Sequence, residues 1–135
     1  MLAFRSVGIL YLLSGLWCAL KPELAAGFLG LEFSHVAGKA EFFSVYGGLQ
    51  VGIAIAILAC SLIPTYQLGA SFFAFLVSFG LFGFRLLSVI SIDQSSVLIY
   101  MLFFEGFLAF LLFMVWRKQV GIKKHLQSSN TKLAS

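Results

Sequence analysis

Four apolar runs, at about residues 3–20, 39–63, 66–90 and 97–116, take up most of this chain, and the breaks between them are short. A helix needs about 20 residues to cross the hydrocarbon core of a bilayer, and each run is about that long. The expectation is an all-α integral membrane protein, a four-helix bundle forming one domain over residues 1–135. Composition agrees, since 61% of the residues are hydrophobic and 10% are charged, against roughly 25% charged in a soluble domain. Four spans leave no room for a soluble catalytic domain.

The runs are punctuated by helix breakers. Lys21-Pro22 closes the first and Pro64 the second, because proline lacks a backbone donor and restricts the residue before it. Residues 23–38 are too polar and too short to cross, and Leu24, Phe28, Leu29, Leu31 and Phe33 suggest a piece lying at the membrane interface. The turn at 91–96 carries Asp93, and residues 117–135 are expected to be a mobile basic tail. The first run has some marks of a signal peptide: a lone Arg5, an apolar core and small residues at 25–27. The bulky pair Leu16-Trp17 and the intervening Lys21-Pro22 favour its retention as a span.

The net charge of +4 lies mostly in the tail, in Arg117, Lys118, Lys123, Lys124 and Lys132. Cations directly after a span indicate orientation rather than nucleic-acid binding. Four spans place both termini on one side, and the positive-inside rule makes that side the cytoplasm of a bacterial inner membrane. Trp17 and Tyr100 then fall near the outer face, Tyr66 and Trp116 near the inner. Cys18 and Cys60 fall near opposite faces, too far apart to bridge.

Two charges interrupt the apolar pattern, Arg85 late in the third run and Glu105 within the fourth. Each costs about 2.5–3.5 kcal/mol at a helix centre unless it is paired or hydrated. At a rise of about 1.5 Å per residue, Arg85 lies roughly 8–9 Å and Glu105 roughly 12–14 Å below the outer ends of their helices. Glu41 and Asp93 belong to the same side, giving a polar cluster of Glu41, Tyr46, Arg85, Asp93 and Glu105. Two readings of it stand. One is a structural ion pair locking the third and fourth helices; the other is a pocket for a headgroup, substrate, proton or partner side chain. Ser14, Ser44 and Ser88 lie at comparable depth and Gln50 lies near mid-membrane. Ser78, Arg85 and Ser88 share a helix face, although each hydroxyl can also bond its own backbone.

The second run contains Gly47, Gly48 and Gly52. At 100° per residue Glu41, Gly48 and Gly52 share one face, a groove where another helix can approach, either inside the bundle or in a second copy. Chemistry of other kinds has little support. His35 and His125 belong to opposite sides, no Cys/His cluster has metal spacing, no glycine loop has a phosphate-binding context, and no Ser-His-Asp set can converge. The expectation is therefore no catalytic residue, no metal and no cofactor, and a protein that is not an enzyme. Its expected partners are the lipid bilayer and a membrane protein or a second copy, with no nucleic acid.

Through Glu41-Phe42, Tyr46-Gly47-Gly48, Gly52, Arg85, Asp93 and Glu105, residues 5–116 resemble a family of small bacterial four-helix membrane proteins described only as a domain of unknown function. That family often carries an arginine shortly after the acidic residue, where this chain has Phe43, which leaves Arg85 as the one deep cation. The architecture is also similar to the DoxX-like proteins, some of which partner respiratory or redox enzymes. These observations point first to a non-enzymatic accessory or stabilising partner of another envelope component. Binding or transport of a small molecule, lipid headgroup or proton at the polar cluster is the alternative, and a membrane subunit of a redox enzyme a further one.

Overall fold

In the computed structural model, which describes residues 1–92 and 95–133, the chain is helical almost throughout. Asp93 lies outside the described residues. Helix α1 (Leu2–Leu20) ends where Lys21 leaves helical geometry and Pro22 starts the short α2 (Pro22–Phe28). After a loop come α3 (Val36–Phe42), a π-helical stretch (Phe43–Leu49) and α4 (Gln50–Cys60), which run on as one long helix. Pro64 opens α5 (Pro64–Ser91), with Ile63 held extended before it, as the proline ring requires. The last helix is α6 (Ser96–Leu133). Four helices are long and apolar enough to cross a membrane: Leu2–Leu20, Val36–Cys60, Pro64–Ser91 and Ser96–His125.

The helix continues through the stretch read from sequence as a mobile tail, so α6 does not stop at Trp116. The physical reason is the absence of a stop signal: no proline follows Trp116, and Lys, Gln and Leu are good helix formers.

Two antiparallel pairs build the bundle, α1 along the long Val36–Cys60 helix and α5 along α6, and contacts of α4 with α5 and of α1 with α6 close the ring. In the first pair the contacts run from Arg5 with Ser61, through Gly8 with Ile57 and Gly15 with Val51, to Gly47 with Ala19. In the second they run from Phe72 with Trp116, through Phe82 with Gly106, to Arg85 with Glu105. Both termini therefore lie at one end, where Gln119 Nε2 also reaches Met1 Sδ at 2.8 Å. The opposite end carries α2, the end of α5 and the start of α6.

Glycine placement explains the close approach of α1, and it corrects the expected packing face. A Cβ at Gly8 would sit 2.9 Å from Ile57, and one at Gly15 would sit 3.0 Å from the backbone nitrogen of Val51. Gly47 does pack, against Ala19. Gly52 has nothing within 4 Å, and Gly48 meets only its own helix's Phe43 carbonyl, so these two do not form an internal groove. The inward face is instead Gly47, Val51, Ala54 and Ile57, because α1 supplies the recesses and the second helix the side chains that fill them.

At the end bearing the termini the ring is filled. Phe4, Val7, Ala54, Ile57, Ala74 and Leu112 are buried in one core. A polar latch closes it: Arg5 Nε donates to Ser61 Oγ (3.1 Å), Ser61 Oγ donates to the Leu58 carbonyl (2.7 Å), and Gln67 Nε2 donates to the Ser61 carbonyl (3.0 Å). At the other end α2 folds back over α1, burying Ala25 and Ala26 with Cys18 and Phe42. Its exit is a Schellman turn, with Leu31 N–H on the Ala26 carbonyl and Gly30 N–H on that of Gly27. Gly30 takes φ 72°, a conformation that costs a side-chain-bearing residue but not glycine.

Candidate functional site

Beneath α2 the four long helices leave a cavity of about 500 Å³. Its position follows from the packing just described. The filled core ends at Tyr11, whose hydroxyl shares a 2.9 Å hydrogen bond with that of Ser78, tying α1 to α5. Above this bond the wall is drawn from every long helix: Ser14, Trp17 and Cys18 from α1; Val45, Tyr46, Leu49 and Gln50 from the second; Val77, Leu81 and Arg85 from α5; and Tyr100, Met101, Phe104 and Glu105 from α6. Ala25, Phe28 and Leu29 of α2 complete it.

Arg85 and Glu105 meet in this wall. Arg85 Nη2 donates to Glu105 Oε1 at 2.8 Å, and Nε donates to Oε2 at 3.2 Å, the forked geometry in which guanidinium and carboxylate match best. The side chains are 24% and 13% exposed, so the pair is only partly screened. Helix direction makes the meeting possible. With α5 and α6 antiparallel, the long arginine side chain spans the small difference in height between the two backbones.

Of the five residues grouped from sequence, Tyr46, Arg85 and Glu105 come together at the cavity. Glu41 does not. It is exposed on α3 and does not line the cavity, because the π-helical stretch Phe43–Leu49, which starts between it and Gly48, breaks the 100° periodicity on which the expected face rested. Tyr46 stacks on Phe42, with ring centroids 4.6 Å apart, which orients its ring at the cavity edge. The hydroxyls divide similarly. Ser44 and Ser88 bond their own helix backbones at Ala40 and Phe84, whereas Ser78 bonds Tyr11 across the bundle.

Three wall features were not singled out as site residues by sequence. Tyr11 was hidden in an apolar helix, although a lone tyrosine in mid-span needs a hydroxyl partner, and that requirement was the available signal. Gln50 was visible as a mid-membrane amide. Its Oε1 is buried with no hydrogen-bond partner among the described residues. Trp17 packs edge-on against Phe28 at 5.7 Å, so that an expected interface residue also roofs the cavity.

Across the mouth of the loop, Lys39 Nζ bonds Glu23 Oε1, strapping α2 to the start of the second long helix. This bond holds the fully exposed Glu23 carboxyl below its ordinary pKa. Cys18 and Cys60 are both free thiols. Among the described residues no three His, Cys, Asp or Glu side chains group as metal ligands. No protein family, curated protein or solved structure matches the chain in sequence or fold comparison.

Proposed function

We propose that this is a multi-pass protein of a bacterial inner membrane, with both termini cytoplasmic, and that it is a non-enzymatic binding protein whose ligand sits in the cavity beneath α2. The observation that carries this reading is the cavity itself. Its volume of about 500 Å³ falls within the roughly 300–1,000 Å³ of small-molecule sites, and it has the same character, an apolar lining with a few fixed polar groups. The basic residues after Trp116 support the orientation. Native mass spectrometry of protein released from its own membrane tests the reading: a small-molecule adduct on the wild type should be lost or strongly reduced in Ser14→Phe, which puts a bulky ring into the cavity. Equal adducts on both proteins, or none on either, would sink it.

A second reading, an accessory role beside another envelope protein, is favoured by one separate observation. Gly48 and Gly52 lie open on the outward face of the second helix, where small residues permit close approach of a further helix. Recovery of a stoichiometric membrane partner that is lost on Gly52→Leu would support it; recovery unchanged by that substitution would count against this face.

A further inference from the structure

The chemistry of the cavity wall narrows what it can hold. The argument rests on the binding reading given above and adds the class of ligand. Among the described residues lining the cavity, Arg85 and Glu105 are the charged ones, and they neutralise each other through two hydrogen bonds of 2.8 and 3.2 Å. An anionic ligand on the free Arg85 donors would lie beside the Glu105 carboxylate, a like charge on a guanidinium that is already neutralised, and a cationic one would have to draw the carboxylate away from Arg85. Either arrangement leaves a charge uncompensated in a partly dry site. A charged head is thus selected against by a pair that is already complete.

Gln50 supplies the opposite preference. Its Oε1 is buried without a partner among the described residues, although the residue lines the cavity. The oxygen is closed off from the cavity as it stands, so a ligand reaches it only when the amide turns toward the cavity; so turned, a primary amide can offer either its oxygen or its NH₂ group to a neutral head, and the acceptor gains the partner it lacks. The Arg85 guanidinium has five N–H donors, of which two are engaged by Glu105, so the wall also has donors for a neutral oxygen. The remaining wall is apolar and aromatic, with Trp17, Phe28, Leu49 and Phe104 among its residues.

We infer that the cavity takes an uncharged amphiphile: an apolar chain carrying a small head, such as a hydroxyl group, that both donates and accepts hydrogen bonds, with Gln50 as the residue that reads the head. Phosphate-bearing lipids are disfavoured, even though they are the more abundant components of a membrane.

The test uses the full-length protein in mild detergent and native mass spectrometry. Two lipids with the same chain, uncharged 1-oleoylglycerol and anionic 1-oleoyl lysophosphatidylglycerol, compete for the wild type and for Gln50→Leu. Because Gln50→Leu removes a buried unpartnered acceptor, it is expected to fold at least as well as the wild type, and a melting curve checks this. The expected result is a preference of about tenfold or more for the uncharged lipid, a difference of about 1.4 kcal/mol, that falls several-fold in Gln50→Leu. Equal or tighter binding of the anionic lipid overturns the inference while leaving a binding cavity in place. A preference unchanged in Gln50→Leu removes Gln50 as the reader and also overturns it. Failure of both lipids to bind, together with no adduct on protein taken directly from the membrane, overturns the inference and the binding reading at once.

Discussion

The two ends of the bundle are made from the same four helices and yet differ in kind. At the end bearing the termini, Phe4, Val7, Ile57 and Leu112 fill the ring, and Gly8 lets α1 lie directly on its neighbour. At the α2 end the ring carries Arg85, Glu105, Tyr46 and Gln50, and a cavity replaces the core. Apolar side chains meeting glycine recesses pack closely, whereas a forked ion pair and a buried amide also demand fixed polar partners. The difference teaches that the helices close where small and apolar residues face each other, and that open space remains where the polar groups gather.

Substitutions at the two ends can break that comparison. The largest effect is expected from Gly15→Leu, since even a Cβ meets the Val51 backbone at 3.0 Å, and backbone cannot rotate away. Loss of the folded species on size-exclusion chromatography is expected, against a retained folded species for Gly52→Leu, where an added Cβ meets nothing within 4 Å among the described residues. Next comes Arg85→Met, which strands Glu105 and should cost about 3–5 kcal/mol by analogy with buried pairs, towards the lower figure because the pair is partly exposed. The double variant Arg85→Met/Glu105→Leu should recover most of this in thermal melts. If it does not, the pair is more than a self-contained spacer.

Smaller effects sharpen the contrast. Leu112→Ala, at a fully buried site of the filled end, should cost about 2–5 kcal/mol, whereas Met101→Ala on the cavity wall should cost less than half as much, because its neighbours already border open space. Matching losses would mean that the two ends are equally well packed. Tyr11→Phe removes the bond that divides them, and about 0.5–1.5 kcal/mol is expected.

The smallest effect concerns the strap over the cavity end. Glu23 has a folded-state pKa below its ordinary value because of Lys39, so the stability it contributes is present above the unfolded pKa. That contribution is lost as pH falls from the ordinary glutamate range through the lowered folded value. Because the group is fully exposed, the change should be slight. It should appear as an acid-dependent drop in melting temperature in the wild type that is absent in Glu23→Gln.

Much of the architecture was legible in the linear chain. The apolar runs located the four long helices, and Pro22 and Pro64 located two of the breaks, since bilayer-length hydrophobicity and missing backbone donors are local properties. A pairing of Arg85 with Glu105 was one of the two readings that the sequence left open, since two opposite charges in neighbouring apolar helices attract; the forked geometry came from the structure. Glu41 does not join the cavity wall, and of the two places open to Gly48 and Gly52 the one inside the bundle is excluded. Periodicity shows which residues share a face but not which way the face turns. That direction was decided by α1, whose Gly8 and Gly15 provided recesses for Val51 and Ile57.

Sequence alone determined four apolar helices and their punctuation, because each depends on residue type and short spacing. Only the tertiary structure decided that a cavity lies beneath α2, that Tyr11 and Ser78 mark where the core ends, that Arg85 and Glu105 meet in a fork, and that Gln50 Oε1 is buried without a partner among the described residues. A cavity is a property of space between elements. It depends on how far four helices diverge, and no single helix encodes that distance.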